Sequence, residues 1–329
     1  MSANKLLLLY PSTNRHIGLW KDLENDERCI LRCTEKKSIR NKFVKGLRYL
    51  YFQIYKRFKW IAFHSFWYEY HDIYKIVKHV AHLVIIDGAL NTVDLSELRK
   101  CKKINPSLKI SLYLINSMDA HSPIMRKVRP KINAFKWDKI YTFDPIDAQK
   151  YDFDYLGFNY FSSQEVNPFN LPNSDIFFVG GLKGGRTELI YNLYTRLRSQ
   201  GFKCDFILYP IDDMNIKHLP DAKYCTKWFP YKDILQHVEH TNCIVEIVQE
   251  GQSGATLRYF EAVSMNKKLL TNNPHIVNFP YYNSKWMKVF KSVDDIDFDW
   301  LNIKENVDFK YNGDFSPINF VNFLFICNK

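Results

Sequence analysis

The sequence lacks the features of a membrane-spanning or metal-binding protein. No apolar run approaches the length of a membrane span, and residues 6–10 are far too short for a signal-peptide core. The seven cysteines contain no CxxC pair, which argues against a zinc site, and their odd number fits free thiols in a reducing compartment. We therefore expect a cytoplasmic protein without a bound metal, either soluble or peripheral on the inner face of the membrane.

The sequence also lacks the signature of any nucleic-acid-binding module. Its formal net charge is nevertheless +11, which fits three kinds of partner: nucleic acid, an anionic membrane or a phosphorylated substrate. Because the module signatures are missing, we expect no nucleic-acid partner.

Length and composition indicate a globular chain of two domains. The chain has 329 residues, of which 46% are hydrophobic and 25% charged, and this length exceeds one ordinary core. Residues 161–175 are rich in Ser, Asn and Pro and are typical of a linker. We therefore expect a first domain at 1–163 and a second at 164–329, with the last helix able to return to the first domain.

The first domain is predicted to be a parallel α/β sheet. Apolar runs at 5–10, 82–86, 109–115 and 137–143 alternate with helical patterns, and in such sheets ligands bind beyond the carboxyl ends of the strands. The polar residues in those loops are Asp87, Asn116, Asp119, His121, Asp144 and Asp147. Asp87 is the first candidate for a catalytic base, followed by Asp119 and His121. Each of these residues also fits a helix cap or a turn.

Residues 34–80 differ in composition from the rest of the first domain. Lysines and arginines interleave with Tyr, Phe and Trp, and neither Gly nor Pro interrupts the segment after Gly46. The pattern predicts one or two helices with a basic face and an aromatic face. Residues 36–70 could then lie on an anionic membrane. The alternative is a helix packed on its own domain with a solvated basic side.

The second domain repeats the pattern of strand and helix. Strands are predicted at 175–179, 204–209, 224–228, 243–248 and 268–271. The first is followed by the glycine-rich turn 180–186 and an apolar helical stripe, so this turn is a possible phosphate site with Lys183 and Arg186 as its charges. It is neither a P-loop nor a GxGxxG motif.

A second turn of the same kind follows the strand at 243–248. Gly251 and Gly254 are its hinges, and apolar residues recur at helical spacing from Leu257. Backbone N–H groups and the positive end of a helix dipole would meet a phosphate there. Ser253 and Thr256 would add hydroxyl donors, Arg258 a positive charge and Glu261 an acceptor for ribose. The alternative is a plain helix entry, with Ser253 as its N-cap and Glu261 solvated.

With these turns in view, residues 175–283 resemble the donor-binding half of a GT-B glycosyltransferase, in particular bacterial enzymes and putative enzymes of lipopolysaccharide and capsule synthesis. Three segments carry the resemblance: 177–186, 247–262 and 266–273. The resemblance implies two Rossmann-like domains facing a cleft, with a nucleotide-sugar on the second domain and a glycan or lipid-linked acceptor on the first. The donor-binding residues would be Gly180, Gly181, Lys183, Arg186, Gln252, Ser253, Gly254, Thr256, Arg258 and Glu261.

One position departs from the pattern of that family. Many GT-B enzymes carry two glutamates that bracket the phosphate turn, and the second holds the donor ribose. Glu261 matches the second, whereas Ser253 stands at the first and Glu250 is out of register. The nucleotide, and a retaining or inverting outcome, are therefore left open. The resemblance also implies transfer without a metal, which agrees with the charges of Lys183, Arg186 and Arg258.

Two other functions fit the same residues. One is a non-catalytic protein that binds nucleotides or polyanions through its basic segment. The other is a nucleotide-sugar 2-epimerase, which also uses two sheet domains. Binding that depends on Glu261 and Arg258 would disfavour the first alternative, and product formation without an acceptor would favour the second.

Overall fold

The computed structural model describes residues 5–12, 18–58, 64–119, 123–163, 166, 170–210, 217–227 and 229–326. The chain forms two compact units. The first comprises Met1–Phe143, Asp147–Leu156 and Pro317–Lys329, and the second comprises Asp144–Ile146 and Gly157–Ser316. The division after Leu156 precedes the boundary expected from composition, and the last helix is counted with the first unit.

The first unit contains a six-stranded parallel sheet with the order β2-β1-β3-β4-β5-β6. Its strands are β1 (Leu6–Tyr10), β2 (Cys29–Cys33), β3 (His82–Ile86), β4 (Lys109–Leu114), β5 (Lys139–Thr142) and β6 (Asp154–Tyr155). Every residue of β1 and β3 is buried. This is the pattern of central strands in a parallel sheet that is covered on both faces, and it explains the near-continuous apolar runs.

The helices of the first unit follow its strands. They are α1 (Lys42–Arg57), α2 (Ile73–Ile76), α3 (Leu95–Ile104), α4 (Pro123–Asn133), α5 (Pro145–Tyr151) and α10 (Pro317–Ile326). The segment 34–80, for which one or two helices were predicted, contributes α1, α2 and short 3-10 turns, and residues 59–63 lie outside the described part. Leu98 and Cys101 of α3 join Leu83 and Ile85 of β3 in one core.

The second unit contains another six-stranded parallel sheet, with the order β12-β11-β10-β7-β8-β9. Its strands are β7 (Ser174–Leu182), β8 (Cys204–Pro210), β9 (Lys223–Tyr224), β10 (Thr241–Glu246), β11 (Lys268–Thr271) and β12 (Met287–Val289). Counted within the unit, this is the doubly wound order 3-2-1-4-5-6 read from the other edge, and its direction reverses between β7 and β10.

Four helices belong to the second unit in the described part of the chain: α6 (Arg186–Ser199), α7 (Tyr231–Glu239), α8 (Leu257–Ser264) and α9 (Phe298–Asn302). Ile190, Leu193 and Leu197 of α6 are fully buried and share a core with Phe178 and Phe206. The predicted fold class, α/β with two Rossmann-like domains, is confirmed by the two parallel sheets. Among the described residues, no helix is both long and apolar enough to span a bilayer.

Candidate functional site

The two glycine-bearing turns follow neighbouring strands of the second sheet. β7 and β10 pair in parallel, with Ile244 opposite Phe177. α6 begins at Arg186 after β7, and α8 begins at Leu257 after β10. Since both strands end at the same edge, the two helix N-termini lie at the point where the strand order reverses. Ligands of doubly wound sheets bind at such a point.

A buried glutamate at the end of β10 organises the second turn. Glu246 is fully buried and accepts hydrogen bonds from the Thr256 amide at 3.1 Å and the Thr256 hydroxyl at 2.6 Å. Its other oxygen accepts from the Thr271 hydroxyl at 2.6 Å. Burial raises the pKa of Glu246. The carboxylate therefore links β10, β11 and the start of α8.

A second carboxylate fills the middle of the same turn. Asp144, which is counted with the second unit, accepts from the amides of Ser253 at 2.8 Å and Gly254 at 3.0 Å. The Ser253 hydroxyl also donates to Asp144, and Ser253 is buried. The protein's own carboxylates thus occupy the amides of Ser253, Gly254 and Thr256, which the sequence assigned to phosphate. This corrects the predicted backbone cradle, because those donors have partners within the chain.

The start of α8 is also settled by these contacts. The N-cap is Thr256, whose side chain accepts from the Arg258 amide at 3.1 Å. Ser253 is therefore not the cap. Gly251 has a φ of 78°, a conformation that glycine adopts without strain. Gln252 lies at the side of the turn, where its amide nitrogen is 3.4 Å from the Gly254 carbonyl.

Glu261 is buried beside Arg258 on the first two turns of α8. Its side chain is fully buried, and the guanidinium of Arg258, whose side chain is 12% exposed, donates to its Oε1 at 2.5 Å. The Tyr231 hydroxyl of α7 donates to the same oxygen at 2.9 Å. Burial raises the pKa of Glu261 to about 7, against the lowering effect of Arg258. The alternative of a solvated Glu261 is therefore wrong.

Arg186 lies at the first position of α6. Its Cζ is 5.7 Å from the centroid of the Phe178 ring. A Cβ added at Gly180 would lie 2.4 Å from its Nη2, so a larger residue there would displace the guanidinium. Burial lowers the pKa of Arg186 to about 10; Glu246 raises that pKa and Arg258 lowers it. Arg186 therefore lies within electrostatic range of both groups.

Arg186, Glu246, Arg258 and Glu261 form one set of interacting charges, here called the charged cluster. Three of its members each have one buried polar atom without a hydrogen-bond partner. These atoms are Arg186 Nε, Arg258 Nη1 and Glu261 Oε2. Buried polar atoms are satisfied in most folded proteins, so two open donors and one open acceptor at one edge of the sheet indicate a place for a polar ligand.

The rest of the glycine-rich turn lies beside this cluster in sequence. Gly180 and Gly181 are the last glycines of β7, and Gly184 has a φ of 54°. Lys183 is half-buried between them and α6. Phosphate contacts by Gly181 and Lys183 stay a prediction.

The first candidate base, Asp87, has a structural role at the edge of the first sheet. It is fully buried and accepts from the amides of Ile115 at 3.1 Å and Asn116 at 2.9 Å. The Gly88 amide donates to it at 2.5 Å. Burial raises its pKa to about 6, opposed by these hydrogen bonds. Because its oxygens accept from donors that follow β3 and β4, Asp87 joins two loops, and its role as a base stays a prediction.

The second candidate, Asp119, is held by cations. Lys150 contacts it at 2.6 Å, Arg129 lies at 3.6 Å and the Tyr151 hydroxyl donates at 2.9 Å. The hydrogen bond from Lys150 lowers the pKa of Asp119, which weakens it as a base. His121 lies outside the described residues. Asp147 is buried and accepts from the Met118 amide at 2.6 Å.

The sequence did not single out Glu246, Tyr231 or the contact of Asp144 with the Ser253 turn. Glu246 carried a usable signal, since a charged residue within an otherwise apolar buried strand needs partners. Tyr231 and Asp144 are far from α8 in sequence, with Asp144 separated from Ser253 by 109 positions. Within the described residues, no group of three or more His, Cys, Asp or Glu side chains is arranged as a metal site.

The chain is an α/β protein of two units, with the charged cluster at the switch point of its second sheet. No family model matches the sequence, and no curated protein matches it. Several solved structures match over most of the chain. An α-glucosyltransferase in complex with UDP and a 13-mer DNA is 13% identical, with 83% of this chain and 81% of that chain covered and a TM-score of 0.49.

Two further matches belong to the same class of protein. The lipopolysaccharide outer core galactosyltransferase WaaB is 13% identical, with coverages of 88% and 87% and a TM-score of 0.44. The T4 phage BGT in complex with its UDP-glucose substrate is 10% identical, with coverages of 91% and 88% and a TM-score of 0.42. At these values, the activity has to be inferred from this chain's own residues.

Proposed function

We propose that the charged cluster binds the diphosphate and ribose of a nucleotide-sugar, and that the chain is a glycosyltransferase. One observation carries the proposal: Arg186 Nε, Arg258 Nη1 and Glu261 Oε2 are buried without partners in one set of charges. Two guanidinium donors suit phosphate oxygens. One carboxylate acceptor beside them suits a ribose hydroxyl. A nucleoside diphosphate offers these groups together.

The proposed chemical role of the charged cluster is to neutralise the charge of the leaving diphosphate. In sugar transfer, the bond between the sugar's anomeric carbon and the diphosphate breaks, and the acceptor oxygen bonds to that carbon. Negative charge grows on the diphosphate as the bond breaks. Positive groups fixed in a buried site stabilise this charge strongly, since they need no reorganisation. Arg186 and Arg258 are such groups, and this supports transfer without a metal as part of the proposal.

The acceptor is proposed to be a cell-surface glycan or glycolipid of the kind made in lipopolysaccharide or capsule synthesis. Support comes from the resemblance of residues 175–283 and from the basic segment at 36–70. If the enzyme inverts, a base must take the proton of the acceptor hydroxyl. The candidates are Asp87, which already accepts from backbone amides, then Asp119 and His121.

A panel of UDP, GDP, CMP, ADP and dTDP tests the donor site by thermal shift. One nucleotide should raise the unfolding midpoint of the wild type by mass action. The same nucleotide should raise it much less in Glu261→Gln, which keeps the acceptor of Tyr231 and Arg258 but replaces the open Oε2 by a donor. Val277→Gln, at an exposed side chain, serves as the matched control. Equal shifts in Glu261→Gln and the wild type would count against the proposed ribose contact.

Product analysis separates transfer from the 2-epimerase alternative. With the stabilising nucleotide carrying its sugar and no acceptor present, an epimerase would convert the sugar at its second carbon. A transferase would leave that configuration unchanged. Conversion without an acceptor would therefore overturn the proposed activity, while leaving the nucleotide site in place.

A further inference from the structure

Helix α1 packs on the first unit with only one face. Val44, Tyr51 and Phe52 are partly buried against the core, and the Tyr55 hydroxyl donates to Asp94. Arg48 donates to the Lys37 carbonyl at 2.7 Å. No residue of the helix is fully buried. The aromatic face expected to meet a membrane is therefore turned, in large part, towards the protein.

A different face of the same helix carries exposed apolar side chains. They are Phe43, exposed by 73%, Leu47 by 45%, Leu50 by 55% and Ile54 by 41%. Their spacings of four, three and four residues put them in one line at 3.6 residues per turn. We call these four residues the α1 stripe. A contiguous apolar strip on a protein surface usually marks an interaction site.

The surroundings of the stripe are strongly basic. From residue 36 to residue 68 the sequence contains no Asp or Glu. On α1, the cations Lys42, Lys45, Lys56 and Arg57 are exposed. At 3.6 residues per turn, Lys42 and Arg57 lie nearest the stripe, and Lys45 and Lys56 lie further round the helix. In the part of the chain that the structure describes, no carboxylate lies within salt-bridge distance of a cation of residues 36–57.

We propose that α1 docks on an anionic lipid bilayer, with the α1 stripe inserted at the boundary of head groups and acyl chains. An apolar line beside cations is the pattern of helices that lie in the membrane interface. The cations would meet lipid phosphates. Three of the four stripe residues, counting Leu47, Leu50 and Ile54, are aliphatic and cannot stack on bases. This favours lipid over nucleic acid, whose single strands are bound by aromatic platforms.

This inference rests on the proposed function and deepens it, because an enzyme that acts on lipid-linked glycans has to reach a membrane. Its test is independent of that function, because vesicle binding is measured without nucleotide. Failure of one therefore does not imply failure of the other.

The test is co-sedimentation of the full chain with vesicles. One set contains phosphatidylcholine alone, and the other contains equal parts of phosphatidylcholine and phosphatidylglycerol. We expect binding to the anionic vesicles only, weakening as salt screens the cations. The variant Leu47→Glu/Leu50→Glu should lower the partition constant by about tenfold or more, since it removes two apolar side chains from the interface. Both positions are exposed, so folding should be retained, which circular dichroism checks.

The matched control is Val277→Glu/Ile303→Glu. It introduces the same charge at two apolar side chains that are exposed by 50% and 53%, both in the second unit. It should bind anionic vesicles nearly as the wild type does. If both double variants bound anionic vesicles equally and more weakly than the wild type, the change in net charge would explain the loss. That result would overturn the role of the stripe. The wild type could instead fail to bind vesicles and form a dimer that the stripe variant does not form. That result would overturn the proposal and assign the stripe to contact with a second copy of this chain. Binding to an oligonucleotide that both double variants retain, without vesicle binding, would also overturn the proposal.

Discussion

Arg186 offers a prediction in which stability and ligand binding change in opposite directions. Arg186 is half-buried, its guanidinium lies against Gly180 and Phe178, and its buried Nε has no partner. The structure contains no carboxylate within salt-bridge distance of it among the described residues. Methionine has a similar unbranched shape and packs well on aromatic rings. Arg186→Met should therefore remove the buried charge while keeping much of the packing.

The expected gain in stability follows from the pKa. Burial lowers the pKa of Arg186 from 12.5 to about 10, and one pKa unit corresponds to about 1.4 kcal/mol. The desolvated charge therefore costs the folded chain at most ~3.5 kcal/mol. Loss of the contact with the Phe178 ring offsets roughly 0.5–1 kcal/mol of that cost, and the exposed part of the side chain is screened by solvent. We expect Arg186→Met to raise the free energy of unfolding by ~1–2 kcal/mol.

Urea unfolding and calorimetric titration measure the two effects on the same preparations. The variant should unfold at higher urea than the wild type when no ligand is present. With the nucleoside diphosphate at about a hundred times its dissociation constant, the wild type should gain ~2.7 kcal/mol, and the variant should gain little. Arg198→Met is the control on the same helix, because Arg198 is 42% exposed and pairs with Asp221 at the surface. It should change neither quantity appreciably.

Two results would refute this reasoning. A variant that unfolds at lower urea without ligand would mean that Arg186 contributes to the folded state through contacts that compensate its burial. A variant that binds the nucleoside diphosphate as the wild type does would mean that the open guanidinium atom is not a ligand contact. Either result would move the phosphate site away from the start of α6.

Three further predictions concern single contacts. Gly180→Ala puts a Cβ 2.4 Å from Arg186 Nη2 and should weaken nucleoside diphosphate binding about tenfold in calorimetric titration; unchanged affinity would contradict the contact. Glu261 has a pKa raised from 4.5 to about 7, so its stabilising contribution is greatest at low pH and is lost as pH rises from about 4.5 to about 7. Relative to Glu261→Gln, the free energy of unfolding of the wild type should fall by up to ~3 kcal/mol over that range. The same difference in urea midpoint between the two proteins at pH 5 and at pH 8 would contradict the raised pKa. Asp87→Asn turns a donor towards the amides of Ile115 and Asn116 and should lower the free energy of unfolding by ~2–3 kcal/mol; a stability equal to that of the wild type would disprove its structural role.

The sequence predicted the sheets better at their centres than at their edges. Buried central strands such as β1, β3 and β10 are apolar runs between turn residues, which periodicity detects. The strands β2, β6 and β12 were missed, and β9 proved shorter than the predicted 224–228. These four strands lie at or next to sheet edges, where strands are short and half-exposed and leave a weak pattern.

The candidate site was predicted in part, for a comparable physical reason. Local signals located both turns, Arg186, Arg258 and Glu261, because glycine, helix spacing and charge act over a few residues. The occupation of the Ser253 and Gly254 amides by Asp144 could not be predicted, since that contact joins residues 109 positions apart. The same limit applies to Tyr231, which reaches Glu261 from another helix. Burial, which sets the pKa values of these carboxylates, is likewise a property of the whole fold.

The most direct test of the phosphate site compares a nucleoside diphosphate with its monophosphate and its nucleoside by calorimetric titration. We predict that the diphosphate binds the wild type at least about tenfold more tightly than the monophosphate, and that Arg186→Met abolishes most of this difference while leaving nucleoside binding unchanged. The comparison isolates the interaction between the guanidinium and the phosphates as a coupling energy. Equal affinities for the diphosphate, the monophosphate and the nucleoside in the wild type would contradict a phosphate site at the charged cluster.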